Sequence, residues 1–262
     1  ALKNVSKNTI FILSTPPIVH EKQAFKILKK NFNLIIEKPS FITSKLLSKC
    51  TNLKKTNNKF LYENLMYKHS YGFFIISSII RKFENKINGI NINFLIPSYP
   101  SSSFRKNYNY SVSTIYDIGC YITSFIIFSK IRINSIELLK NFYRGNNIYS
   151  SLFKFDNNKF DINAKIGRNN TYQNNICILF NNNFKIILDH FFYGVNKQKY
   201  LKIYFNNKLL KKIKFEDINQ FEFIFNQGLS FFKKNQLSNT DNFRQLNLLN
   251  KMEYLYNKCL TT

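Results

Sequence analysis

The chain has 262 residues, of which 44% are hydrophobic and 20% are charged. This is enough apolar material for a core in one large or two modest domains, so wholesale disorder is excluded. No run of about 18 apolar residues occurs, which argues against a membrane-spanning helix. The four cysteines lie singly, without the CxxC spacing of zinc or disulfide frameworks. We therefore expect no metal site and a reducing, cytoplasmic location.

The net charge of +25 has two interpretations. One is a basic surface that binds nucleic acid. The other is compositional drift, because Lys, Asn, Ile, Phe and Tyr are abundant while Trp is absent and Gly is scarce, as an AT-rich coding sequence produces. The lysines are scattered along the chain and form no long run of like charge. This favours drift, and we predict no nucleic-acid partner.

The first third of the chain predicts alternating strands and helices. The predicted strands cover residues 9–15, 34–36 and 60–67, and the predicted helices cover residues 20–30, 44–54 and 73–83. The first strand is a continuous apolar run, which is typical of burial on both faces. Strands and helices that alternate with short connections predict a parallel α/β sheet.

The remainder of the chain predicts a different architecture. Its predicted elements are a strand at 90–97, a polar loop at 98–110, a helix at 115–128, long strands across 135–215, and helices at 220–233 and 242–259. Asn-rich turns should join the long strands, since Asn tolerates left-handed backbone. Ser238-x-x-Asp241 is a capping signal for the last helix. We expect a mainly antiparallel sheet covered by helices.

Three short patterns contain the residues best suited to chemistry. In chain order they are Ser14-Thr15-Pro16-Pro17-x-x-His20, Glu37-Lys38-Pro39 and Asp117-x-Gly119-x-Tyr121. The first two follow predicted strands, and ligands of open α/β sheets bind at the carboxyl ends of strands. The third opens a predicted helix.

These patterns suit an alcohol or ketone substrate. Lys38 can donate to a substrate oxygen, and Asp117 and Tyr121, four residues apart, share a helix face. A phenol beside a cation has its pKa lowered and can exchange a proton with a hydroxyl. Each pattern also has a structural interpretation: a solvated lysine, a structural Asp–Tyr pair and a plain loop.

In this order the patterns resemble the Gfo/Idh/MocA family of oxidoreductases, in the branch of glucose-fructose oxidoreductase and dihydrodiol dehydrogenase, whose third motif ends in Tyr. The first pattern resembles the family's strand-to-helix turn beside the nicotinamide, and Glu37-Lys38-Pro39 is similar to its most recognisable motif. The resemblance implies that Lys38 orients the reacting oxygen, that Tyr121 is the acid/base and that Asp117 supports them.

The same resemblance assigns the cofactor, which would be NAD or NADP. The residues implied to contact it are Thr15, Pro16, His20, Glu37 and Lys38. Pro39 also permits a cis peptide bond before it. The resemblance implies an NAD(P)-dependent oxidoreductase that acts on a sugar, nucleotide-sugar or polyol. It further implies a homo-oligomer formed through an open sheet face, which we expect to be apolar and aromatic.

The implied organisation is a partial Rossmann domain over 1–85 and a C-terminal substrate and oligomerisation domain over 86–262. The family's Gly-x-Gly-x-x-Gly turn, which holds the cofactor pyrophosphate, is absent from the sequence. We therefore expect the Rossmann domain to be truncated at its amino end and to bind NAD(P) weakly or not at all. The alternative is a non-catalytic remnant or partner subunit that keeps the fold without binding the cofactor.

Overall fold

The structure, a computed structural model, describes residues 5–6, 8–100, 102–103, 112–145, 147–168, 171–192 and 198–259. The predicted loop at 98–110 thus falls largely outside the described residues. The chain divides into two compact units. The first comprises Ala1–Leu65, Tyr99–Cys120 and Asn226–Asn250, and the second comprises Met66–Ser98, Tyr121–Phe225 and Lys251–Thr262. Both units are discontinuous in sequence, and the contiguous domains over 1–85 and 86–262 remain a prediction.

The strands and helices follow the chain in the order that the sequence predicts. The strands are β1 (Ile10–Leu13), β2 (Asn33–Glu37), β3 (Leu61–Asn64), β4 (Ile87–Ile96), β5 (Ser135–Arg144), β6 (Asn147–Asp156), β7 (Asp161–Arg168), β8 (Gln173–Phe180), β9 (Phe184–Asp189), β10 (Lys199–Phe205) and β11 (Lys208–Phe215). The helices are α1 (Pro17–Lys29), α2 (Ser44–Thr56), α3 (Tyr71–Phe83), α4 (Thr114–Phe128), α5 (Gln220–Phe225), α6 (Leu229–Asn235) and α7 (Asn239–Lys258).

A parallel sheet organises the first unit. Its strand order is β1-β2-β3, with Leu13 opposite Ile36 and Ile36 opposite Glu63. This confirms the predicted parallel α/β arrangement. The carboxyl ends of β1 and β2 therefore lie side by side. Burial on both faces of β1 was expected and is wrong at Ile12, which is 47% exposed, because an edge strand is covered less completely than a central one.

An eight-stranded sheet organises the second unit, in the order β11-β10-β9-β8-β4-β7-β6-β5. Within this eight-stranded sheet, the β4–β7 pair is the one parallel pairing among the described residues, so the predicted mainly antiparallel sheet is confirmed. The predicted Asn turns are confirmed too. Asn158, Asn183, Asn206 and Asn207 adopt φ values of 68°, 57°, 47° and 64°, the left-handed backbone that closes a tight hairpin.

The two faces of this sheet differ in chemistry. One face carries the core, where Ile90, Ile92 and Phe94 of β4 are at most 4% exposed. On the other face the alternation of β4 places Asn91 and Asn93. The Asn93 Nδ2 donates to the Asn175 Oδ1 at 3.1 Å.

On the face of the sheet that carries Asn91 and Asn93, here called the open face, lysines of other strands lie in line with these asparagines. By strand register the row that contains Asn91 also holds Lys154, Lys202 and Lys212. The same row holds Cys177 and Ile187, so the outward positions of these strands mix amides, cations and apolar side chains, and oligomerisation through this face remains a prediction.

The C-terminal helices depart from the prediction at one point. The single helix expected over 220–233 is divided into α5 and α6, and Gly228 stands at the amino end of α6 in extended backbone. The predicted cap of α7 is present, because the Ser238 Oγ accepts from the Asp241 amide at 3.0 Å.

Neither a membrane-spanning helix nor a cluster of metal-ligating side chains is present among the described residues. Their helices include none with the length and apolar character needed to cross a bilayer. Nor do these residues contain a group of three or more His, Cys, Asp or Glu placed to hold a metal ion.

Candidate active site

The turn from β1 to α1 is fixed by its own residues. The Thr15 Oγ1 donates to the Gln23 Oε1 on α1 at 2.8 Å. Pro16 is the N-cap of α1, and Pro17 occupies the first helical position, where proline's fixed φ suits a helix start. The predicted cofactor contacts Thr15 and Pro16 thus lie at the carboxyl end of β1.

The segment after β2 begins with a cis Lys38–Pro39 peptide bond. Its backbone is held by side chains from elsewhere in the first unit. The His20 Nε2 donates to the Pro39 carbonyl at 2.9 Å, and the Ser40 amide donates to the Glu63 Oε1 at 2.8 Å. His20 therefore contacts this turn from inside the unit, and its role in cofactor binding remains a prediction.

Burial decides the charge state of His20, which is fully buried. The pKa of His20 is lowered by this burial, although hydrogen bonds to the backbone of Pro39 and Thr15 act in the opposite direction. The ring is therefore neutral near pH 7, where it serves as a hydrogen-bond donor to the turn.

Sequence reasoning missed two buried acids that organise the same segment. Glu21, 3% exposed, accepts from the amides of Ile42 and Thr43 and from the Thr43 hydroxyl. Glu63, 8% exposed, accepts from the Gln245 Nε2 as well as from the Ser40 amide. The available signal was their position, one acid beside His20 and the other inside a buried strand.

Glu37 lies at the end of β2, beside Asn64 of β3 in the strand register. The Asn64 Nδ2 donates to the Glu37 Oε1 at 2.5 Å. Glu37 thus links the carboxyl ends of two neighbouring strands, and a contact with cofactor remains a prediction for it.

Lys38 and Asp117 form the charged centre of the first unit. The Lys38 Nζ donates to the Asp117 Oδ1 at 2.8 Å and to the Asp117 carbonyl at 2.7 Å. Their side chains are only 15% and 8% exposed, so the pair is largely shielded from water. Asp117 lies in the first turn of α4, where the positive end of the helix dipole stabilises a carboxylate. Tyr99 completes the cluster, because its hydroxyl donates to the Asp117 Oδ2 at 2.6 Å.

Tyr121 follows four residues later on α4, in the second unit. Its ring packs against Tyr67, Phe94 and Phe192, with centroid distances of 5.8, 5.0 and 5.5 Å. The Tyr67 hydroxyl donates to the Tyr121 carbonyl at 3.4 Å. The structure thus brings Lys38 and Asp117 together and surrounds Tyr121 with aromatic rings. The approach of Tyr121 to Lys38 remains a prediction.

The chemical capacity of the Lys38 cluster follows from its position. A cation fixed at the carboxyl ends of parallel strands can stabilise negative charge that develops on a ligand oxygen. The Asp117 carboxylate keeps the Lys38 ammonium in this position and away from solvent. Such a group orients and polarises a carbonyl or hydroxyl.

No protein-family model matches the chain, and no curated protein matches it. Among solved structures, the chain is similar to KijD10, a 3-ketoreductase from Actinomadura kijaniata solved with NADP and TDP-benzene. The two are 15% identical, with a TM-score of 0.76, over 91% of this chain and 75% of that chain. Other structures of that ketoreductase carry single replacements of a tyrosine by phenylalanine or of a lysine by alanine.

Two further solved structures have the same overall fold. The aldose-aldose oxidoreductase from Caulobacter crescentus, complexed with glycerol, is 11% identical, with a TM-score of 0.76 over 95% of this chain and 77% of that chain. The UDP-N-acetylglucosamine 3-dehydrogenase GnnA from Acidithiobacillus ferrooxidans is 10% identical, with a TM-score of 0.70 over 94% and 78%. At these identities the similarity shows the fold of the chain.

Proposed function

We propose that this chain is an NAD(P)-dependent oxidoreductase that acts on a hydroxyl or ketone of a sugar, nucleotide-sugar or polyol. The observation that carries the proposal is the Lys38–Asp117 pair at the carboxyl end of β2. Support comes from proteins of similar fold, which include a ketoreductase crystallised with NADP and a nucleotide-sugar dehydrogenase. The lysine and tyrosine replaced in that ketoreductase are the residue types to which we assign the chemistry.

The residues of the chain suit one end of the cofactor. Thr15, Pro16 and Lys38 follow the carboxyl ends of β1 and β2, and ligands of open α/β sheets generally bind at such ends, which supports their assignment to the cofactor. A glycine turn for the pyrophosphate is absent from the sequence, since its seven glycines form no Gly-x-Gly-x-x-Gly pattern. We therefore propose that this chain binds the nicotinamide end with these residues and holds the whole cofactor weakly.

The proposed chemistry divides among three side chains. A bound nicotinamide would supply or accept the hydride. Lys38 would donate to the reacting oxygen and stabilise its negative charge, and Asp117 would hold the ammonium in place. Tyr121 would exchange the hydroxyl proton, from an aromatic environment that excludes water.

The second candidate is a non-catalytic remnant or partner subunit of the same fold. The absent glycine turn favours it, because pyrophosphate binding supplies much of the affinity for a dinucleotide. On this view the Lys38–Asp117 pair persists as a structural ion pair.

A hydride-transfer assay with millimolar NADH or NADPH distinguishes the oxidoreductase from the non-catalytic remnant. We expect slow, measurable oxidation of NADH or NADPH with ketosugar substrates, and millimolar binding by fluorescence titration, because the nicotinamide end alone contributes affinity. Lys38→Met should lower the rate by a factor on the order of one hundred. Lys45→Met, at an exposed position on α2, is the matched control and should retain the rate. A folded wild-type chain without hydride transfer would favour the remnant, and micromolar binding would contradict the weak cofactor site.

A further inference from the structure

We infer that Tyr99 is a positioning residue of the proposed active site, which holds the Asp117 carboxylate so that this carboxylate fixes the Lys38 ammonium. The inference rests on the proposed function for its catalytic meaning. Its geometric basis is independent of the reaction. No motif of the sequence singles out Tyr99.

The two oxygens of Asp117 have different partners. Oδ1 accepts from Lys38 at 2.8 Å, and Oδ2 accepts from the Tyr99 hydroxyl at 2.6 Å. Both distances are short, as expected for hydrogen bonds to an ionised acceptor. The Asp117 side chain is 8% exposed, so water has little access to compete for either oxygen.

A carboxylate bound through one oxygen can still rotate, because the terminal torsion of Asp is broad. A second bond, to the other oxygen, fixes the plane of the group. Tyr99 supplies that second bond and thereby sets where the carboxylate directs Lys38. The backbone of Asp117 is already fixed in the first turn of α4, where its amide donates a hydrogen bond to the Ser113 carbonyl.

The role of Tyr99 differs from the role proposed for Tyr121. A phenol that donates to a buried carboxylate keeps its proton in that bond, so Tyr99 acts as a donor to Asp117. Tyr121 packs among rings, and its hydroxyl is the one we assign to proton exchange. Tyr99 therefore acts on the substrate through Asp117 and Lys38.

The test measures the titration of Lys38 directly, by competitive acetylation across a pH series with mass-spectrometric readout. Asp117→Asn removes the paired charge and should lower the pKa of Lys38. Tyr99→Phe keeps the charge and removes one of the bonds that orient the carboxylate, so it should lower the pKa of Lys38 by a smaller amount. Tyr116→Phe is the matched control, because it removes a phenol hydroxyl that donates a hydrogen bond of the same length, 2.6 Å, to the Asn250 Oδ1.

The outcomes distinguish this inference from the proposed function. An intermediate Lys38 titration in Tyr99→Phe, with Tyr116→Phe like the wild type, supports the positioning role even when no substrate is turned over. A Tyr99→Phe titration identical to the wild type, or shifted upward, overturns it even when the enzyme is active. Where activity is measurable, Tyr99→Phe should lower kcat about tenfold with KM little changed, since orientation of the reacting groups is lost.

Discussion

A buried ion pair in the second unit allows a test of how burial determines the contribution of paired charges to stability. The Lys199 Nζ lies 2.6 Å from the Asp217 Oδ2, and the two side chains are 0% and 4% exposed. The ammonium and the carboxylate are thus in direct contact and shielded from water. The other oxygen of Asp217 accepts from the Tyr71 and Ile218 amides at 2.9 and 3.0 Å. The carboxylate thus holds the amino end of α3 and the segment before α5.

Lys199→Met removes the ammonium and leaves this carboxylate without its counter-charge. Removing one partner of a buried pair costs about 3–5 kcal/mol, because the remaining ion stays desolvated. The matched control is Lys159→Met. Lys159 lies 2.7 Å from Glu84, with both side chains more than 40% exposed, and such pairs contribute about 0–1 kcal/mol. The two lysines differ in burial far more than in pairing distance.

Urea denaturation followed by tyrosine fluorescence and by circular dichroism measures both variants. We expect Lys199→Met to lose several times more unfolding free energy than Lys159→Met, with an unchanged denaturant slope. Equal losses in the two variants would refute the reasoning, because burial would then not determine the contribution of the pair.

Three further predictions concern titration, thiols and association. Burial, and to a lesser extent the charge of Lys68, lower the pKa of His69 to about 3, so protonation of this imidazole opposes folding. The free energy of unfolding should therefore be highest above pH ~6.5 and should fall by about 2 kcal/mol between pH 7 and pH 5. His69→Leu should flatten this dependence in urea titrations at a series of pH values. Maleimide should label exposed Cys259 in the native state and buried Cys50 only after unfolding, because burial raises the pKa of Cys50 to about 12. Rapid labelling of Cys50 in the native protein would contradict this prediction. Any self-association through the lysine-rich open face should strengthen with salt in sedimentation experiments, because salt screens like charges.

Local patterns predicted most of the fold. The alternation of Asn91 and Ile92 in β4 and the left-handed tendency of Asn at the hairpins are properties of short segments, which is why strands and turns were found correctly. The division between α5 and α6 was missed, because a single Gly228 competes weakly with the apolar pattern around it. The ends of β1 were missed for a similar reason, since an apolar run does not show where pairing stops.

The candidate site was predictable only in part. Lys38 and Asp117 were identified from their local motifs and the family that these resemble. Tyr99 was not identified, because it belongs to a polar stretch of sequence without strand or helix periodicity and lies 18 residues before Asp117. Buried Glu21 was missed for another reason: an acid on a helix is usually solvated, and only the fold reveals that the backbone of residues 42 and 43 needs an acceptor.

The position of β4 in the eight-stranded sheet has a consequence for the order of folding. β5, β6 and β7 form one continuous antiparallel ribbon, and β8 to β11 form another, so each ribbon can assemble from neighbouring hairpins. β4 precedes both in the chain and lies between them, paired with β7 on one side and β8 on the other. Its pairing needs the closure of a long loop, which is slow relative to hairpin formation. Entry of β4 between the two ribbons is therefore the step that unites the sheet, and until then β7 and β8 each present an open strand edge to other chains.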